Sequence, residues 1–134
     1  MIKFNSSNDE DVPRIRDWTA ADIYHRGYND PSWWLTGNGL LAFVLHDEKG
    51  PVFYVRLDDG EYARLSVQFA PVEVVPKRRL VRAMIQCLPR LIEITKQHGN
   101  KGLIFDSDSP SLILFMEKFG FLKQNDSYLL SFGD

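Results

Sequence analysis

Two runs in the middle of the chain alternate with a period of two. In residues 52–57, Phe53, Val55 and Leu57 alternate with Tyr54 and Arg56; in residues 62–69, Ala63, Leu65, Val67 and Phe69 alternate with Arg64, Ser66 and Gln68. That period marks strands with one face buried. Asp58-Asp59-Gly60 between them has the composition of a tight hairpin turn. Residues 40–46 are mostly apolar, and Glu48-Lys49-Gly50 turns them into the first alternating run. The three runs predict an antiparallel meander.

After Pro76 the period becomes helical. Leu80, Val81, Met84, Leu88, Leu91 and Ile92 recur at helix spacing, Pro76 opens the element and Gly99 closes it. Pro89 lies inside and predicts a kink or one lost hydrogen bond. Residues 102–106 are apolar without alternation, as in a strand covered on both faces. Ser109 then caps a helix with Pro110 in its first position, and Leu112, Phe115, Met116 and Phe119 form its buried stripe. Gly120 stops it, and strands near 121–124 and 127–132 end the chain.

The N-terminal third is more broken. Residues 2–6 predict a short strand. Ser7 or Asn8 caps a helix running through Trp18, with Asp9, Glu10 and Asp11 on its first turn. Thr19 followed by Asp22 resembles a variant capping box, which predicts a second helix stopping near Gly27. Residues 29–39, with Pro31, Trp33, Trp34, Gly37 and Gly39, read as a loop. The order is β-α-α-β-β-β-α-β-α-β-β, an α+β fold in one domain spanning 1–134, without repeat or linker.

Composition narrows the chemistry. A length of 134 residues suits one core. A net charge of −2 gives no field that would draw the chain to nucleic acid or an anionic membrane. Cys87 is the only cysteine, so neither an internal disulfide nor a thiolate zinc cluster can form, and it reads as a small buried hydrophobe. His25, His46 and His98 show no metal-ligand spacing; no metal site is expected and no histidine is assigned a catalytic role. No apolar run approaches membrane-spanning length, and Met1-Ile2-Lys3-Phe4-Asn5 lacks the apolar core of a signal peptide. The expected compartment is the cytoplasm of a bacterium or of a virus's host.

The element order, and above all Ser107–Phe121 following Gly102-Leu103-Ile104-Phe105, resembles the GNAT N-acetyltransferase family over nearly the whole chain. The resemblance implies a mixed, mostly antiparallel sheet flanked by helices. It also implies acetyl-CoA (or another acyl-CoA) as cofactor, and direct acetyl transfer within a ternary complex to a small-molecule or protein amine. In that family a motif of the form Arg/Gln-x-x-Gly-x-Gly/Ala, between the fourth strand and the next helix, wraps the pyrophosphate. Exposed backbone N–H groups at a helix start favour an anion there. The matching segment is Val74–Ala83. A motif starting at Arg78 puts Val81 and Ala83 at the two glycine positions, whereas a start at Arg79 puts Arg82 and Met84 there and fits less well.

The resemblance thus assigns cofactor contacts to Arg78, Arg79, Leu80, Val81, Arg82 and Ala83. The cluster Lys77, Arg78, Arg79 and Arg82 supplies charge for phosphates. It further implies backbone N–H groups from Val67 to Phe69 at the thioester carbonyl, and Ser109 and Phe115 along the pantetheine. GNAT enzymes carry an Asn near the start of the following helix and a Tyr four residues before its glycine; Ser109 and Met116 stand there, and Met116 has no proton to donate. The family's base is often a Glu on the fourth strand, where this chain has Arg64, Ser66 and Gln68. Glu61 and Glu73 flank that strand, and Glu73, with Ser109, is the candidate catalytic residue. Trp33 and Trp34 fall on the loop that, by the same resemblance, would help wall the acceptor site. The Lys-Arg-rich, glycine-poor turn and the tyrosine-free last helix resemble acetyltransferase-like internal virion proteins of short-tailed phages. An alternative implication is therefore an inactive module that binds a protein partner, as monomer or homodimer.

Overall fold

The computed structural model describes residues 2–25 and 30–133. Among the described residues seven strands form one sheet: β1 (Lys3–Ser6), β2 (Leu41–Asp47), β3 (Gly50–Asp58), β4 (Tyr62–Phe69), β5 (Gly102–Phe105), β6 (Leu122–Gln124) and β7 (Ser127–Ser131). Their order across the sheet is β1-β2-β3-β4-β5-β7-β6. Flanking it are the helices α1 (Val12–Ala21), α2 (Lys77–His98) and α3 (Pro110–Lys118). The architecture is the α+β arrangement expected from the sequence.

The meander forms because each turn suits its residues and each alternating run buries one face. In the β3–β4 register Tyr54 lies opposite Gln68, and Phe53 opposite Phe69. Neighbouring side chains on a strand point to opposite faces. Tyr54 and Gln68 meet α1, where Trp18 packs edge-on against the Tyr54 ring at 5.4 Å. Phe53 and Phe69 contact each other at 5.6 Å on the other face.

The first helix corrects the sequence expectation. Asn8, not Ser7, is the cap: its side chain accepts the Glu10 N–H (2.9 Å), while the Asp11 carboxylate accepts the Asn8 N–H (2.8 Å). This reciprocal pair closes a short 3-10 turn, Asp9–Asp11, that feeds α1. Ser7 instead donates to the Trp34 carbonyl (2.7 Å). The helix runs through Thr19, so no second helix begins there. The Thr19 hydroxyl bonds back to the Arg16 carbonyl (3.1 Å), a use open to Ser and Thr inside a helix. Asp22 ends α1 and folds a turn by accepting the Tyr24 N–H (2.8 Å). The expected stop at Gly27 lies outside the described residues. Residues 31–34 of the expected loop form a second 3-10 turn, capped by Asp30.

Pro89 leaves α2 continuous. The missing N–H frees the Ile85 carbonyl, and Ile85 is exposed, so water can satisfy it. Gly99 ends α2 in the left-handed conformation, with φ 94°. Gly102 is required by close approach: a Cβ there would sit 2.1 Å from the Leu130 carbonyl oxygen. On α3 only Met116 is fully buried, whereas Leu112, Phe115 and Phe119 are half-buried. The expected buried stripe is partial because α3 overhangs an open groove.

Candidate functional site

The parallel β4–β5 pairing lasts three residues, Tyr62–Arg64 against Gly102–Ile104. The Arg64 guanidinium reaches the Asp106 carboxylate at 2.5 Å, just past that last rung. Beyond it the strands part. Ala70 N–H donates to the Val52 carbonyl (3.1 Å). Antiparallel ladders alternate, so the backbone groups of Gln68 also face β3 while those of Val67 and Phe69 face the opening. The two N–H groups assigned by resemblance to an acyl carbonyl therefore have no strand opposite them.

Beside this opening lies a groove of about 780 Å³. Phe69, Ala70, Pro71 and Val72 form one side, Lys77, Leu80, Val81 and Met84 of α2 a second. Ser109, Ser111, Leu112, Leu114, Phe115 and Lys118 form a third, and Trp18, Ala21, Asp22 and Ile23 close the end. The lining is mostly apolar, and Ile23, Val72 and Leu114 hold exposed side chains at its rim. Ser109 caps α3 by accepting the Leu112 N–H (3.4 Å).

The N-terminus of α2 points its charge here. Pro76 is its cap and supplies no side-chain acceptor. Among the described residues the N–H groups of Lys77 and Arg78 have no protein partner. Each unsatisfied N–H favours an anion. Lys77, Arg78 and Arg82 are exposed, and of these Lys77 borders the groove. Arg79 is committed elsewhere: its Nε and Nη2 donate to Asp47 Oδ2 (2.8 Å) and Oδ1 (2.7 Å). This pair locks the α2 start to the β2–β3 turn, and the Arg79 guanidinium holds the Asp47 carboxyl down at about 2.

The structure brings Phe69, Leu80, Val81, Ser109 and Phe115 together along the groove, with Val67 on the adjoining strand edge. Ala83 is buried beneath them in the core. Met116 is likewise core, 1% exposed. Glu73 sits exposed on the turn after β4 and does not border the groove. Trp34 is buried, and Trp33 packs edge-on against it at 4.8 Å with the Arg56 guanidinium 4.2 Å over its own ring. Neither tryptophan lines the groove.

Sequence reasoning missed a polar cluster behind the Asp22 end of the groove. Gln68 is fully buried. Its Nε2 donates to Asp22 Oδ2 (3.1 Å) and to the carbonyls of Phe69 (3.0 Å) and Trp18 (3.4 Å). Its Oε1 lies 2.6 Å from His25 Nδ1, and Asp22 Oδ2 lies 3.3 Å from the same nitrogen. Burial pushes the Asp22 carboxyl up, but the bonds from His25 and Tyr24 outweigh it and hold the group below its ordinary value. The Asp22 bond raises the His25 imidazole above its ordinary value against the opposing effect of burial. The available signal was the Asp22-x-x-His25 spacing, which reads equally well as helix punctuation. Among the described residues no group of three or more His, Cys, Asp or Glu side chains is arranged for a metal.

No family model matches the chain, and no curated protein matches its sequence. Solved structures do match. A GNAT-family acetyltransferase of Staphylococcus aureus Mu50 has a TM-score of 0.73 at 14% identity, over 99% of this chain and 100% of that one. Mutant forms of the spermidine/spermine N-acetyltransferase of Vibrio cholerae give 0.69 at 12% identity, over 98% and 95%. A GNAT-family acetyltransferase of Brucella melitensis in complex with acetyl-CoA gives 0.59 at 14%, over 100% and 90%. The fold is that of the GNAT acetyltransferases.

Proposed function

We propose that this chain binds an acyl-CoA along the groove and transfers its acyl group, acetyl in the simplest case, to an amine. The observation that carries this reading is the parting of β4 from β5, which leaves the Val67 and Phe69 N–H groups aimed past the groove wall. Backbone N–H groups fixed before reaction stabilise a developing oxyanion without reorganising. The donor set fits the ligand: Lys77, Arg78 and Arg82 with the uncapped α2 start suit phosphates, and the apolar walls suit a pantetheine arm. Val81 is the misfit, since its branched side chain narrows the wall where the family's glycine leaves the backbone bare.

An acyl-CoA supplies a thioester carbonyl already activated toward an amine. The residues of this chain then position and polarise. Ser109, at the groove, offers a hydroxyl to a pantetheine amide. Val67 and Phe69 hold the carbonyl oxygen. Met116 supplies no proton, so solvent protonates the departing thiolate. The acceptor is a small-molecule or protein amine, in keeping with the polyamine named for the Vibrio cholerae enzyme, and the setting is a bacterial or host cytoplasm. Calorimetric titration with acetyl-CoA and with coenzyme A tests the reading. A micromolar Kd, about −8 kcal/mol, is expected. A folded protein that gives no heat at millimolar ligand would overturn it.

Val81 and the buried Met116 favour a second reading, in which the fold is kept as a module for binding a protein partner, as in the phage proteins the sequence resembles. Arg78→Ala with Lys77→Ala separates the two: it weakens acetyl-CoA binding at least tenfold under the first and leaves partner binding unchanged under the second.

A further inference from the structure

We propose that His25 is the proton acceptor for the amine substrate, held in the working tautomer by Gln68 and Asp22; this rests on the acyltransferase reading above. The tautomer follows from the hydrogen bonds. Gln68 Nε2 faces three acceptors, the Trp18 and Phe69 carbonyls and the Asp22 carboxylate. Only an amide NH2 satisfies that arrangement, so the other amide atom is oxygen and can only accept. His25 Nδ1, 2.6 Å from that oxygen, must carry a hydrogen. The proton of the neutral ring is therefore on Nδ1, and Nε2 holds a free lone pair. Among the described residues Nε2 has no partner, and the side chain is 35% exposed.

The placement matches the task. Gln68 occupies β4 one residue from Phe69 and one from Val67, whose N–H groups face the opening, and its side chain is on the α1 face of the sheet. Asp22 lines the groove and touches the imidazole, which together with Gln68 lies just behind that lining. Trp34, 6.3 Å away ring to ring, backs the imidazole. Among the described residues Asp22 is the only charged group that contacts it. A carboxylate beside Nδ1–H stabilises the imidazolium formed when Nε2 gains a proton. The step is one proton transfer: the substrate ammonium gives H⁺ to Nε2, leaving a neutral amine with its lone pair and an imidazolium paired with Asp22. Glu73 is exposed and has, among the described residues, no side-chain partners comparable to those of His25. His25 is the catalytic residue here, and Gln68 and Asp22 are positioning residues.

The test uses the full chain with acetyl-CoA and three acceptors: spermidine, lysine methyl ester and an alanine-terminated peptide. His25→Gln should lower kcat by about 10²–10⁴-fold, with acetyl-CoA affinity unchanged. It should also remove the acid limb of the kcat/KM profile. Asp22→Asn should lower kcat less than His25→Gln does and should move that limb to lower pH, because the carboxylate that raises the imidazole is gone. Nitrogen-15 spectra of the free protein should show Nδ1–H and a bare Nε2. A protonated Nε2, an unchanged kcat in His25→Gln, or cofactor binding without turnover of any acceptor would each overturn the assignment while leaving the binding reading intact. Failure to bind acetyl-CoA would remove both.

Discussion

Arg79 grips Asp47 with two nitrogens, at 2.8 and 2.7 Å, and so fastens the first turn of α2 to the β2–β3 turn. Both side chains are largely shielded, at 17% and 16% exposed. Two-pronged geometry and partial burial make this stronger than an ordinary surface pair. Asp47→Asn should cost roughly 1–2 kcal/mol, read by denaturant unfolding. The pH dependence has a definite sign. The folded-state pKa, about 2, lies below the ordinary 3.8. The stabilisation is therefore complete above pH 4 and is lost as pH falls through about 2. Acid titrations of wild type and Asp47→Asn should converge in that window.

Tyr54 is buried and donates to Asp11 Oδ1 (2.7 Å), while Arg14 donates to both that oxygen (3.1 Å) and the phenol oxygen (3.2 Å). Burial, reinforced by the Asp11 bond, pushes the Tyr54 phenol well above its ordinary value, so it is a structural donor and not an acid. Tyr54→Phe leaves Asp11 short of a donor in a buried place. The expected loss is about 1–3 kcal/mol, measured by thermal or urea unfolding.

Cys87 is 1% exposed, and burial raises its thiol to about 12. It should not react with a thiol-specific disulfide reagent in the native protein, since the thiolate is the reacting form. Reaction should appear only with global unfolding, at one equivalent per chain.

Val81→Gly removes the branched side chain from the groove wall. Under the acyltransferase reading, acetyl-CoA should bind more tightly, by calorimetry. The same change should destabilise the protein by about 1 kcal/mol, because glycine in a helix is entropically unfavourable. Opposite signs for affinity and stability identify Val81 as a barrier to the ligand.

Most of the fold was legible because the meander, α2 and α3 announce themselves through period and punctuation. The N-terminal helices were not, because Thr19 and Asp22 carry two meanings each. A Thr before an Asp can open a helix, or it can bond backward within one while the Asp ends it. Arg79 was equally ambiguous: four basic residues near a helix start read as one cluster, and only the distant Asp47 withdraws one of them. Gln68 and His25 are 43 residues apart, and nothing in local pattern predicts their meeting. That pairing depends on which face of β4 lies against α1.

The β4–β5 junction between β1–β4 and β5, β7 and β6 has three parallel rungs, flanked by the Arg64–Asp106 and Lys101–Glu61 ion pairs and by the Tyr62–Ser131 hydroxyl contact (3.0 Å). The sheet thus consists of two antiparallel blocks meeting at a narrow seam, bridged on one side by α2. Such a seam is where amide exchange by sub-global opening should begin, ahead of either block. The groove straddles it, with β4 on one block and α3 on the other. A molecule lodged there acts as a staple across the seam, so its residence should slow exchange at Ala63 and Ile104 more than anywhere in the meander.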